Sequence, residues 1–272
     1  MILFPFSKIN LGLRVLRKRK DGFHDLDTCF YPFALRDILE AIPAEQGSGT
    51  FTFSGIAIEG EPGNNLIVKA VRLLQNDFNF PDLSMHLHKI IPMGAGLGGG
   101  SSDAVFALKL VNALYHLNLS KEMLFNYAVK LGSDCAFFLE NQACLASGRG
   151  DILQPITITL KDWYLVLVKP DIHVSTKDAY HGIQPQEPAI KLQDALLQPV
   201  TTWESLLFND FEETVFLKHP EIRHIKEELY RQGAVFALMS GSGASVFGLF
   251  REKPSLKEHF RGAFVFEDLL TL

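Results

Sequence analysis

An α+β fold of two domains, divided near residue 155, is predicted here by three observations. The first sixty residues hold short apolar or alternating runs broken by turn residues, as strands do. A glycine-rich loop at 92–103 stands between a strand pattern and a long apolar helix pattern. Beyond Pro155 the pattern restarts as strand, helix, helix, strand, glycine turn and strand, an α+β order. The expected domains are therefore 1–155 and 156–272.

Residues 2–4 and 9–16 run apolar or alternate. A charged turn at 17–22 then closes on Asp21 and Gly22 and leads into 25–31. Asp-Gly between two such runs predicts a hairpin. Residues 37–42 and 50–53 continue the sheet across a loop at 47–49. Asn64 and Asn65 cap a helix over 66–76, apolar at 66, 67, 70, 71 and 74. A strand over 85–91 enters the glycine loop. Residues 104–115 are apolar except at Lys109 and Asn112, with His116 just beyond. Their i, i+3, i+7 spacing makes one thin polar stripe on a helix otherwise buried.

Ser120 caps a helix over 121–131 that ends before Gly132, and 133–138 is an apolar segment holding one acid, Asp134. Residues 142–150 read as a strand and turn. In the second half, 163–169 is a buried strand, 170–176 a loop and 177–181 a helix start. The proline-punctuated 182–200 is surface loop or short helix. Residues 211–218 and 221–232 are helices. A strand over 234–239 enters a second glycine turn at 240–245, and 246–250 is its hairpin mate. There is no internal repeat and no low-complexity tract.

The central loop carries Gly94, Gly96, Gly98, Gly99 and Gly100 and ends at a helix N-terminus, with Ser101 or Ser102 as the cap. Unpaired N–H groups and the positive end of the helix dipole make this an anion site, whose usual occupant is a phosphate. Gly94, Gly96 and Gly99 also match the dinucleotide pattern G-x-G-x-x-G. That pattern needs an acid closing a second strand about twenty residues on, and 119–131 reads as helix instead. No Gly-Lys-Ser/Thr follows the glycines, so a Walker loop is excluded.

Composition bounds the function. A formal net charge of −5 over 272 residues implies no general affinity for nucleic acid, although 14–20 is locally basic. Three cysteines, an odd number with no metal-ligand spacing, fit reduced thiols in a cytoplasmic protein. Residues 1–8 lack the charged and apolar regions of a signal peptide, and no apolar run is long enough to span a membrane. The expectation is a soluble cytoplasmic protein, a monomer or weak homodimer, with a small-molecule substrate and no nucleic-acid or membrane partner.

Three separated motifs acquire meaning together. Ser7-Lys-Ile-Asn-Leu11 and Lys20-Asp-Gly-Phe-His24 stand at the front, the glycine loop in the middle, and Met239-Ser-Gly-Ser-Gly-Ala-Ser245 at the back, with Leu131-Gly-Ser-Asp134 and Gly148-Arg-Gly150 between. This order resembles the GHMP kinase superfamily over residues 8–250. The Asp-Gly-aromatic-His turn is similar to the branch whose acceptor is a cytidine-diphosphate-linked sugar alcohol, phosphorylated on its 2-hydroxyl. The resemblance implies the two-domain GHMP kinase fold, with an N-terminal domain like ribosomal protein S5 domain 2 and a ferredoxin-like C-terminal domain. It also implies a site in the cleft between them, and ATP with Mg²⁺.

The resemblance further assigns residues. Asp134 takes or orients the acceptor proton, and Lys8 is the cation that holds Asp134 ionised. Pro92, Met93, Gly94, Ala95, Gly96, Leu97, Gly98, Gly99 and Gly100 surround the ATP phosphates. Ser101 and Ser102 offer hydroxyls to phosphate or Mg²⁺. Asn65 and Lys89 match positions at adenine or its ribose. Asn10, Phe23, His24, Thr176 and Tyr180 belong to the acceptor, with Phe23 and Tyr180 enclosing cytosine and His24 reading its edge. Three positions depart from the common pattern: Asp103 for Asn, Phe23 for Tyr, and Cys135 for an aliphatic residue. The extra charge of Asp103 is tolerable if it faces Mg²⁺ or caps the helix. Rival readings are a homoserine or mevalonate-type kinase, a catalytically silent nucleotide-binding protein, and a Rossmann oxidoreductase.

Overall fold

The computed structural model describes residues 1–58 and 60–271. Packing divides the chain into two compact units. The first comprises Met1–Ser7, Leu35–Met93 and Gly98–Asn141; the second comprises Lys8–Ala34, Gly94–Leu97 and Gln142–Leu272. The elements in chain order are β1 (Ile2–Leu3), β2 (Phe6–Lys18), β3 (His24–Arg36), β4 (Ile38–Pro43), β5 (Phe51–Gly55), α1 (Leu66–Asp77), β6 (Leu83–Lys89), α2 (Gly99–Leu114) and α3 (Lys121–Leu131). A 3-10 helix (Cys135–Leu139) follows, then β7 (Cys144–Gly148), β8 (Ile152–Pro155), β9 (Tyr164–Lys169), α4 (Thr176–Tyr180) and α5 (Leu192–Leu196). The chain ends with α6 (Phe211–Lys218), α7 (Pro220–Arg231), β10 (Phe236–Met239), β11 (Val246–Phe250) and β12 (Phe264–Leu269).

In the first unit one sheet has the order β1-β4-β6-β5, with β5 parallel to β6 and the other pairs antiparallel. The α1 cap is as expected: Asn65 Oδ1 accepts from Ile67 N at 2.9 Å, and Ile67, Ala70, Val71 and Leu74 are buried. Ser120 caps α3 in the same way. The start of α2 differs from expectation. The helix begins at Gly99, so Gly99 and Gly100 lie inside its first turn, and neither Ser101 nor Ser102 caps it. The flanking residue is Gly98, in the left-handed region at φ 70°, where a side chain is strained. Ser102 N already makes the first helical bond, to Gly98 O at 2.9 Å.

The second unit holds two four-stranded sheets. One, β2-β3-β7-β8, contains the expected hairpin, turned by Arg19 N donating to Phe23 O at 2.8 Å. The other, β10-β11-β9-β12, is antiparallel throughout. Its edge strand β12 was not expected from the sequence. Only three apolar residues begin it, and pairing from Phe264↔Lys169 to Leu269↔Tyr164 makes it a strand. Leu13 and Val15 of β2 share a core with Val166, Met239, Val246, Phe211 and Leu229. Apolar burial of Leu13 and Val15 thus draws β2 into this unit.

Candidate active site

Within the second unit the two glycine turns meet backbone to backbone. Gly96 has φ 73°, and a Cβ there would stand 1.9 Å from Ser240 O. Ser240 Oγ donates to Gly96 O at 2.9 Å and accepts from Asn10 N at 3.3 Å. Asn209, buried, donates to Met239 O at 2.7 Å and Gly241 O at 2.8 Å, and accepts from Phe211 N. Ala95 and Leu97 are buried between the glycines. The loop is therefore held rigidly from behind.

Lys8 lies beside it, its N donating to Leu97 O at 3.1 Å. Its ammonium donates to Asn10 Oδ1 at 2.7 Å and stands 4.9 Å from the Phe30 ring centre. Asn10 in turn donates to Thr28 Oγ1 at 2.8 Å, and Thr28 donates to Gly12 O at 2.6 Å. Asn10 is buried with both ends of its amide engaged, which is the setting of a residue that orients Lys8. Thr28, Ser240 and Asn209 had no functional signal in the sequence beyond the glycine turn that contains Ser240.

The first unit holds the rest of the loop and Asp134. Pro92 and Gly99 are buried, while Met93 and Gly100 are exposed. A Cβ at Gly99 would meet Ile91 Cγ2 at 2.8 Å and Lys89 Nζ at 3.0 Å, whereas one at Gly100 would meet nothing within 4 Å. Packing explains the first glycine and nothing in the protein explains the second. Asp134 precedes the 3-10 helix but makes no capping bond with its side chain. A turn-capping role therefore does not account for it. Ser101 is half-buried and hydrogen-bonds the Cys135 thiol, which burial pushes up to about 11. Ser102 Oγ is buried without a hydrogen-bond partner.

Asp103 neither caps α2 nor lies open to a metal. It is buried, and its Oδ2 accepts from Lys89 Nζ at 2.6 Å. Asp37 Oδ2 accepts from the same ammonium at 2.5 Å, and Asp37 Oδ1 accepts from Ile90 N and Ile91 N. Burial pulls the Lys89 ammonium down, but Asp103 and Asp37 outweigh it and hold it raised. Two carboxylates share one cation, and Asp103 is the less satisfied, since its Oδ1 has no partner. Burial, offset by Lys89 and reinforced by Asp37, pushes Asp103 up to about 8.

A carboxyl raised in the folded state keeps its proton while the unfolded chain loses one. Its contribution to stability therefore falls as pH rises from about 4 to about 8. Asp103→Asn should gain on the wild type across that window by at least about 1 kcal/mol, roughly 2–4 °C in Tm. Parallel Tm profiles for the two proteins between pH 5 and 8 would show Asp103 to be ionised in the native state.

The hairpin tip belongs to the second unit. Asp21 Oδ1 accepts from Phe23 N at 3.2 Å, and Asp25 takes Arg19 at 2.7 Å together with Arg17, so two cations of the basic run stiffen the turn. Phe23 is 53% exposed, with the Arg149 guanidinium 4.9 Å from its ring centre. The sequence placed His24 at the edge of a ring held between Phe23 and Tyr180. In the structure the His24 ring itself stacks on Tyr180, with centroids 4.8 Å apart and planes at 19°. Burial, then Lys18, lowers the His24 pKa, which favours the neutral imidazole in this stack. Tyr180 also meets the edge of Phe211. Thr176 Oγ1 lies 3.2 Å from Ser242 Oγ in the second glycine turn.

Comparison with known proteins places the whole chain beside one group of kinases. The family model for the GHMP kinases N terminal domain matches residues 65–142, and that for the GHMP kinases C terminal matches 192–263. A 4-diphosphocytidyl-2-C-methyl-D-erythritol kinase of Bacteroides fragilis strain YCH46 is 50% identical over 270 residues, covering 98% of both chains. One of Bacteroides thetaiotaomicron is 49% identical over 268 residues with the same coverage. Among solved structures, a 4-(cytidine 5'-diphospho)-2C-methyl-D-erythritol kinase superposes with a TM-score of 0.83 at 31% identity, covering 98% of each chain.

Proposed function

This chain belongs to the GHMP kinases and, within them, to the 4-diphosphocytidyl-2-C-methyl-D-erythritol kinases, and on that premise we propose how its residues share the work. The reaction transfers a phosphoryl group from ATP to the 2-hydroxyl of 4-diphosphocytidyl-2-C-methyl-D-erythritol, the kinase step of the non-mevalonate isoprenoid route. Such a transfer needs positioning, neutralised charge and an oriented hydroxyl.

Asp134 takes the proton of the acceptor hydroxyl, and Lys8 supplies positive charge for the reacting groups. The place of Asp134 at the head of a buried 3-10 helix and the alignment of the Lys8 ammonium by Asn10 support these roles. Asn10 is then a positioning residue. The N–H groups of residues 94–102 bind the ATP phosphates. Asn65 stays assigned to the adenosine end. Lys89 braces the loop from beneath, because its ammonium is buried between Asp37 and Asp103. Phe23, His24, Tyr180 and Thr176 take the cytidine end.

Mg²⁺ fits a site of this kind. Mg²⁺ would be carried by phosphates and water, and among the described residues no group of three His, Cys, Asp or Glu forms a metal cage. The Ser101 hydroxyl would complete its shell, and the ion would neutralise charge on the transferring phosphates. The same proposal assigns 1–155 to ATP binding and 156–272 to the C-terminal domain. It also includes a cytoplasmic monomer or weak homodimer. The two family models fall on either side of residue 155. No helix among the described residues is long and apolar enough to cross a membrane.

The observation that carries the phosphate site is Gly100, a glycine in the first turn of a helix that nothing in the protein requires. Glycine there lowers helix stability by about 1 kcal/mol relative to alanine, so a ligand's close approach is the reason left for it. Gly100→Val should weaken ATP at least about tenfold with little change in Tm or in acceptor affinity, since bulk blocks only the ligand. Gly100→Ala serves as the folding control and should melt no lower than the wild type. Calorimetry with each ligand separately decides it; unchanged ATP affinity would remove the phosphates from this loop.

A further inference from the structure

Lys109 is the one cation of α2, and the reaction above does not use it. Its ammonium donates to Phe138 O at 2.8 Å and to Leu139 O at 3.0 Å, and stands 4.7 Å from the Phe106 ring centre. Those two carbonyls close the 3-10 helix Cys135–Leu139, and the residue at its other end is Asp134. We propose that Lys109 is a positioning residue for phosphoryl transfer: its ammonium ties the C-terminal carbonyls of the turn headed by Asp134 to the same helix whose first turn carries the phosphate loop. This rests on the reading of Asp134 as the proton acceptor.

The argument is one of direction. Phe137 and Phe138 are buried against each other and against Phe6, with centroids 5.1–6.2 Å apart. Such packing holds the turn down but is non-directional. A single 3-10 turn has poor internal hydrogen bonds and frays readily. Two charge-assisted bonds to its last carbonyls satisfy acceptors that have no partner inside the turn, and set its rotation about its own axis.

A rigid α2 rises about 1.5 Å per residue, so Lys109 stands roughly 15 Å along the rod from Gly99. The turn's orientation is thereby referred to the loop's. Placing an ammonium here is unfavourable in itself: burial pulls Lys109 down to about 8, with Glu140, the partner of Lys121, working the other way. Methionine would fill the same stem without that burden. A cation retained on an otherwise apolar helix is explained by what its N–H groups hold.

Lys109→Met and Lys109→Arg are each made alone and together with Asp134→Asn, and kcat and both KM values are measured. The expected result for Lys109→Met is a kcat about 10- to 100-fold lower with KM for ATP and acceptor within about twofold, since small misplacement of a reacting group acts on the chemical step. Lys109→Arg, which keeps the donors, should restore kcat to within a few-fold. In the Asp134→Asn background, Lys109→Met should lower kcat no further, because there is no base left to misplace. Should Lys109→Met melt below assay temperature, Lys109→Gln, with one N–H donor, carries the same comparison.

Unchanged kcat in Lys109→Met, an equal loss in both backgrounds, or a rise in both KM values would overturn the proposal and leave Asp134 as base. Near-normal turnover by Asp134→Asn alone would overturn that reading and the proposal with it.

Discussion

Asp134→Asn should fold, bind ATP and acceptor nearly as the wild type does, and lose kcat by ~10²–10⁴-fold, the usual effect of removing a general base. The expectation follows from where the residue sits. Asp134 heads a buried 3-10 helix, is half-buried, and makes no capping bond. Asparagine keeps the size and planarity of the side chain, so packing around Phe137 and Phe138 has no reason to change. The measurement is a pair: steady-state kcat, and calorimetric affinity for each ligand. A kcat within a few-fold of wild type would refute the assignment. A parallel collapse of both affinities would mean that the turn, and not the chemistry, had been damaged.

The second large effect is structural and falls on the same loop. Gly96→Ala should destabilise the protein by more than about 3 kcal/mol, or prevent accumulation of folded protein. Two causes add. A residue with a side chain at φ 73° is strained by about 1–2 kcal/mol. Its Cβ would also stand 1.9 Å from Ser240 O, a backbone atom that Asn209 holds through the carbonyls on either side. Backbone pinned from both sides cannot yield as a flexible side chain would. Urea unfolding of Gly96→Ala beside Gly100→Ala checks this. Equal stability of the two would mean that the glycine turns move apart more easily than their hydrogen bonds suggest. The contrast separates a glycine that the fold demands from Gly100, which the fold does not demand.

Several features were legible because their causes are local. The Asp21-Gly22 turn, the Asn65 and Ser120 caps and the apolar face of α1 depend on residues within one turn of each other. Each was found where it was expected. The start of α2 was misplaced for an equally physical reason. Glycine is a poor helix former, so a pattern reading begins the helix after the glycines, whereas burial and the left-handed Gly98 allow it to begin among them.

The functional detail was legible only in part. The position of Asp134 in an apolar segment is a sequence fact, and so is the aromatic–histidine pair at the hairpin tip. That His24 stacks on Tyr180 was not, since 156 positions (180 − 24) separate two rings that only the fold brings together. Asp103 shows the same limit. Its sequence neighbours suggested a cap or a metal, and its partner is Lys89 on a strand.

By itself the sequence outlined most of the strands and helices and placed a glycine-rich loop at a helix N-terminus, and it marked Asp134 and Lys8 as candidates for the reaction's charge. The elements and the loop follow from backbone preferences over a few positions, and the two candidates from the resemblance of widely spaced motifs to a family. The tertiary structure alone decided which glycines are compulsory, which carboxyl burial raises, that Asn10 serves Lys8, and that Lys109 holds the turn of Asp134. Each of those depends on groups brought together from distant parts of the chain: Asn10 meets Ser240 across 230 positions, and Lys89 meets Asp37 across 52. Desolvation and close approach are set by those neighbours, and no local pattern encodes them.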